Sequence, residues 1–129
     1  MIRTVFPIQL PVAALSLGMA EISWYPFDKG VTLGQKGSEN GVIVRDEEHS
    51  QEARITLERD TPYVPFAITC GIYGCMFHTR FFGIESEASL QYEEMKAALS
   101  ALLLTENEGG PEGCRSFLDG VAEFVETYP

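Results

Sequence analysis

Apolar and polar residues alternate with a period near two over much of residues 21–82. After residue 87 the apolar positions recur at helical spacing, so the pattern predicts strands first and helices last. Glu21-Ile22-Ser23-Trp24-Tyr25 alternates and stops at Pro26, which suits a strand. Glycines at 30, 34, 37 and 41 then space a loop that closes on Asn40-Gly41, a strong turn dipeptide. Gly41–Glu47 carries Val42, Ile43 and Val44, and Ala53–Asp60 sets Ile55 and Leu57 against Arg54, Thr56 and Glu58. The polar link Glu48-His49-Ser50-Gln51 makes these two strands a hairpin. Ahead of all this, residues 2–19 read as proline-punctuated extended segments, with a strand at Arg3–Phe6.

Residues 64–83, VPFAITCGIYGCMFHTRFFG, predict a second hairpin at the centre of the core. A two-residue turn at Tyr73-Gly74 gives an odd pairing sum. Phe66, Ile68, Cys70 and Ile72 then share the core face with Cys75, Phe77, Thr79 and Phe81. The opposite face receives Ala67, Thr69 and Gly71 with Met76, His78, Arg80 and Phe82.

Gly83 ends the strands. Ser86 is placed as an N-cap, with Glu85 and Glu87 where the helix dipole favours acids. Ala88, Tyr92, Met95, Leu99, Leu102 and Leu103 define one face of an amphipathic helix over Glu87–Leu104. Pro111 suits the first turn of a second helix, whose stripe runs through Cys114, Phe117, Leu118, Val121, Phe124, Val125 and Tyr128. Gly113 and Gly120 weaken it by about 1 kcal/mol each relative to alanine. The fold class expected is α+β: an antiparallel meander of four to five strands with two C-terminal helices packed on one face. The 129 residues suit one globular domain, 1–129.

Composition adds one unusual figure, a net charge of −10. It is concentrated: residues 84–129 hold ten acids against two bases, and residues 1–83 nine against seven. Such a surface repels phosphate backbones and attracts a basic partner, so nucleic-acid binding is not expected. Three cysteines without regular spacing suit reduced thiols in the cytoplasm. No run approaches the roughly 18 apolar residues that span a bilayer. Gly18-Met19-Ala20 after an apolar stretch resembles a signal-peptidase site, but Pro7 and Pro11 interrupt that stretch and only Arg3 precedes it.

Candidate chemistry is sparse. Cys70, Cys75 and His78 have near-zinc spacing, yet in the expected register the thiols and the imidazole face apart, so no metal or other cofactor is expected. Thr69, His78 and Arg80 share a face, joined by Arg54 if its own face agrees, and could bind an anion. Arg80 could equally pair with Glu58 or Asp60. No nucleophile stands in a recognisable catalytic setting, so a non-enzyme is favoured. Lys36-Gly37-Ser38 fails the phosphate-loop pattern, since the lysine precedes the glycine and a strand follows. Asp46-Glu47-Glu48-His49 with Glu52 reads as an exposed polar turn. Trp24, Tyr25 and Phe27, with Glu93 and Glu94 on the acidic helix, are interface candidates.

The favoured expectation is an acidic protein-binding module for a basic partner, an inhibitor or immunity-like protein by analogy of composition with bacterial immunity proteins. The alternatives are a small enzyme or ligand binder built on His78 and Arg80, and a structural homodimer.

Overall fold

The computed structural model describes residues 24–50, 52–106 and 110–129, with side chains described outside 105–117. The expected arm over 2–19, its strand at Arg3–Phe6 and the signal-like segment lie outside these residues. Five strands form one antiparallel sheet in chain order: β1 (Trp24–Pro26), β2 (Val42–His49), β3 (Ala53–Arg59), β4 (Phe66–Ile72) and β5 (Met76–Phe82). Two helices follow, α1 (Glu85–Glu106) and α2 (Gly110–Thr127). This is the α+β meander that the period change predicts.

Pairing registers divide the sheet residues between two faces. Ile55 pairs with Cys70, Leu57 with Ile68 and Ala53 with Ile72, and all are buried in the main core. The α1 stripe of Ala88, Tyr92, Met95, Leu99, Leu102 and Leu103 closes over them, also buried. A fully buried Leu or Met contributes roughly 1.5–3 kcal/mol, so this layer supplies most of the fold's driving force. The helix begins two residues before the sequence pattern suggests. The Ala88 amide bonds the Ile84 carbonyl, so Ser86 lies inside the first turn rather than capping it. Phe124 reaches the core from α2, whereas Leu118 and Val125 of the expected stripe are exposed. Gly120 lets the two helices approach, because a Cβ there would meet Leu102 Cδ1 at 2.5 Å.

The segment Asp46–His49 is strand, not an exposed turn. β2 runs through His49, and the chain reverses at Ser50 with positive φ while the Glu52 amide bonds the His49 carbonyl. Strand alternation then sends Asp46 and Glu48 to one face, and Glu47 and His49 to the other. Glu47 accepts hydrogen bonds from Tyr92 Oη at 2.8 Å and Lys96 Nζ at 3.1 Å, tying α1 to β2. Burial raises the Glu47 pKa, but these bonds and the charges of Lys96 and Arg45 outweigh it and leave it lowered. Arg45 reaches Glu93 at 2.6 Å and lies 4.0 Å over the Tyr92 ring. A register shift between Ile43 and Arg45 re-aims the strand, so Ile43 sits opposite Glu58 while Arg45 sits opposite Leu57.

Candidate binding face on the loop side of the sheet

The register of the second hairpin decides what the open face contains. The Cys75 amide bonds the Ile72 carbonyl at 2.9 Å, and Gly74 has a φ of 78°, the positive value a type II turn needs at its third position. Cys75 is left as an additional loop residue before Met76 pairs with Ile72. The loop is thus three residues long, not two. The single extra residue makes the pairing sum even and turns β5 over relative to the expectation. Cys70 now faces His78, Ile68 faces Arg80, and Thr69 faces Thr79.

The four residues expected as one ligand site therefore separate into two pairs. His78 and Arg80 lie on the helix side. The His78 Nε2–H donates to the Tyr128 carbonyl, and Arg80 donates to Pro129 O at 3.1 Å and Gln91 Oε1 at 2.7 Å. These bonds hold the end of α2 against β5. Arg80 does not pair with Glu58, which is on the opposite face, nor with Asp60, which bonds Arg59. Arg54 and Thr69 remain together on the loop side. The expected joint core position of the two cysteines also fails: Cys70 is buried under α1 and Cys75 is exposed in the turn.

Three rows of residues cross the loop-side face. The middle row is Asp46, Thr56, Thr69 and Thr79, each directly opposite the next. On one side run Glu48, Arg54, Gly71 and Phe77; on the other, Ile43, Glu58, Ala67 and Phe81. Small side chains thus line β4, and two phenylalanines stand on β5. The asymmetry makes a trough along β4.

The glycine-spaced loop walls the other side of that trough, and two buried carboxylates hold it in place. Asp46, whose side chain is fully buried, accepts from Thr32 Oγ1 at 2.7 Å, Thr56 Oγ1 at 3.0 Å, and both Arg54 Nε at 2.9 Å and Nη2 at 2.7 Å. These bonds raise the Arg54 pKa against the opposing effect of burial. The Arg54 guanidinium also lies 3.6 Å over the Phe27 ring. Glu58, equally buried, accepts the backbone amides of Gly41 at 2.9 Å and Glu39 at 3.2 Å. Side-chain oxygens buried this deeply are tolerated because hydrogen bonds within the protein replace those lost to water. Gly37 and Gly41 are required by this approach. A Cβ on Gly37 would fall 2.3 Å from Glu58 Cδ, and one on Gly41 2.5 Å from the Arg59 carbonyl. The loop glycines serve a carboxylate of the protein itself. Asp46 escapes a motif search because it opens the acidic run Asp46-Glu47-Glu48, and Glu58 because it stands as a single acid in an alternating strand.

A pocket of about 540 Å³ lies between the loop and the sheet, with Lys36, Arg54, Thr69, Tyr73 and Phe77 among its lining residues. A second hollow of about 360 Å³ lies beyond Ser38 and is bounded by Tyr63 and Phe81. Tyr73 donates to Glu48, and burial followed by that bond pushes its pKa up to about 12. Neither histidine lines these hollows, and burial pushes the Cys70 thiol up to about 12, far from a reactive thiolate. Among the described residues no three His, Cys, Asp or Glu side chains gather as a metal-ligand set. The groups that this face presents are aromatic rings and hydrogen-bonding side chains.

The exposed aromatics make part of this face apolar. Phe77 is 75% exposed, Phe81 50% and Tyr63 98%. The expected interface group is dispersed by comparison. Trp24 turns toward α1 and donates to Ser100 Oγ at 2.7 Å, Tyr25 lies beside Glu48 on the loop side, and Phe27 is under Arg54. Glu93 is occupied by Arg45, while Glu94 is exposed on α1. No helix among the described residues is long and apolar enough to cross a membrane. No family model, curated protein or solved structure that was compared with the chain matches it.

Proposed function

We propose that the chain is an acidic protein-binding module for a basic partner, of the inhibitor or immunity type, and that it docks through the loop-side face of its sheet. The supporting observation is the pair Phe77 and Phe81, exposed two positions apart on the last strand beside a trough of small residues. Exposed aromatics grouped in this way are common anchors of protein interfaces. The net charge of −10 supplies the long-range attraction for a basic partner. We assign it to a reducing, cytoplasmic setting, in keeping with three cysteines that have no regular spacing.

The test is selection of binders from a random peptide display library, with the intact protein as target. Enriched sequences should be rich in lysine and arginine, should bind more weakly as salt rises, and should lose affinity for Phe77→Ala/Phe81→Ala. Binders indifferent both to salt and to that double substitution contradict the proposal. A second reading, a small-molecule binder, is supported by the pocket of about 540 Å³ with Arg54, Lys36 and Thr69 on its wall. It shifts the ligand site away from His78 and Arg80. Melting temperatures in the presence of small carboxylic acids, compared between the protein and Lys36→Gln, test it directly.

A further inference from the structure

The pocket of about 540 Å³ between the glycine-spaced loop and β4 carries charged side chains of both signs on its lining. Arg54 is already matched, because its Nε and Nη2 both bond the Asp46 carboxylate. Lys36 and Glu58 are not. The Lys36 side chain is exposed and forms no ion pair or hydrogen bond among the described residues. Glu58 is buried, yet no lysine or arginine among those residues pairs with it. Its partners are two backbone amides: Gly41 bonds Oε1 at 2.9 Å, and Glu39 is shared between both oxygens at 3.2 Å. A carboxylate offers about four acceptor sites, so Oε2, with a share of one N–H, keeps room for another donor. Buried acids are ordinarily paired with a cation, and this one is not.

The two residues are neighbours across the loop. Lys36 precedes Gly37, which lies so close to Glu58 that an added Cβ would stand 2.5 Å from Oε2. A cation on the loop and an acid on the floor thus border one cavity without meeting. Those opposite charges select the ligand. An anion drawn to Lys36 is repelled by Glu58, and a cation drawn to Glu58 is repelled by Lys36. A molecule that carries both charges meets attraction on each side. Between them the lining is apolar at Ile43, Met76 and Phe77.

From these features we infer that the pocket binds a zwitterionic α-amino acid with an apolar side chain. Its carboxylate bonds Lys36, its ammonium group bonds Glu58 Oε2, and its side chain lies toward Met76 and Phe77. A cavity with apolar walls and a few polar groups that fix orientation is the usual form of a small-ligand site. The inference rests on the small-molecule reading and names the ligand class for that site.

The probe is L-leucine, titrated into the full chain by calorimetry at about pH 6.5, below the ordinary α-amino pKa. Two analogues accompany it: 4-methylpentanoate, which lacks the amine, and leucinamide, which lacks the carboxylate. Leucine should bind about tenfold or more tightly than either, since each analogue forfeits one charged hydrogen bond. It should also slow hydrogen exchange in 35–41. Lys36→Gln should weaken leucine by about tenfold and leave leucinamide no weaker. Glu58→Gln keeps an oxygen for the two amides; it should weaken leucine and leave 4-methylpentanoate no weaker. Should Glu58→Gln not fold, the exposed Lys36→Gln and the two analogues still decide. If 4-methylpentanoate binds as tightly as leucine, the inference falls while the small-molecule reading stands. Leucinamide binding as tightly as leucine, or leucine binding unchanged in Lys36→Gln, likewise overturns it. If none of the three binds, both the inference and the small-molecule reading fail.

Discussion

On the helix side of the sheet, charge stays near the margins: Glu47, Lys96, Arg45 and Glu93 join β2 to α1 beside a layer of aliphatic residues. On the loop side, two carboxylates are sunk into the floor and no α-helix among the described residues covers the sheet. Asp46 gathers side chains, and Glu58 gathers backbone amides. Apolar burial holds the first face together; hydrogen bonding to buried charge holds the second in shape. A face organised by polar fixings can leave phenylalanines exposed without collapsing on them, which is what a preformed docking surface requires.

The largest effect should come from cutting into the helix-side layer. Leu99→Ala should cost about 3 kcal/mol in denaturant unfolding, near the middle of the Leu→Ala range for buried sites. It should leave hydrogen exchange in the loop 31–41 unaltered relative to the global limit. Next, Glu58→Ala orphans the amides of Gly41 and Glu39 and should cost about 2 kcal/mol, with accelerated exchange confined to 37–41. Equal acceleration in α1 would erase the distinction between the faces. Gly37→Ala should cost about 1–2 kcal/mol, because the added methyl must displace the Glu58 carboxylate.

A pH titration sharpens the contrast from the helix side. The Glu47 pKa is lowered in the folded chain from its ordinary 4.5, so its stabilisation is present above that value and is lost as pH falls through the folded one. Melting temperature should therefore decline on acidification below about pH 4.5, and Glu47→Gln should flatten that part of the curve. The smallest effect should be that of Phe77→Ser. An exposed side chain buries little, so stability should change by no more than about 0.5 kcal/mol while binding is lost.

Much of the scaffold is legible in the residue pattern. The periods locate the β2–β3 and β4–β5 hairpins, and the buried stripe from Ala88 to Leu103 coincides with the α1 core. The open face is not legible, for a specific reason. Parity propagates: one residue, Cys75, added to a turn changes the side of every residue in β5. Tyr73-Gly74 signals a turn but not how many residues follow before pairing resumes. Acids posed a second difficulty. Asp46-Glu47-Glu48-His49 resembles a solvated turn in composition, and only cross-strand partners such as Arg54 and Thr56 show why Asp46 belongs inside a strand.

Side-chain oxidation by hydroxyl radicals tests the central claim most directly, because it reads which side of β5 faces water without needing a partner. Phe77 and Phe81 should be modified rapidly, while Tyr92 and Met95 under α1 should be protected until the chain unfolds. Protection of both phenylalanines in the folded monomer, with His78 instead open to modification, would place β5 the other way over and contradict the account.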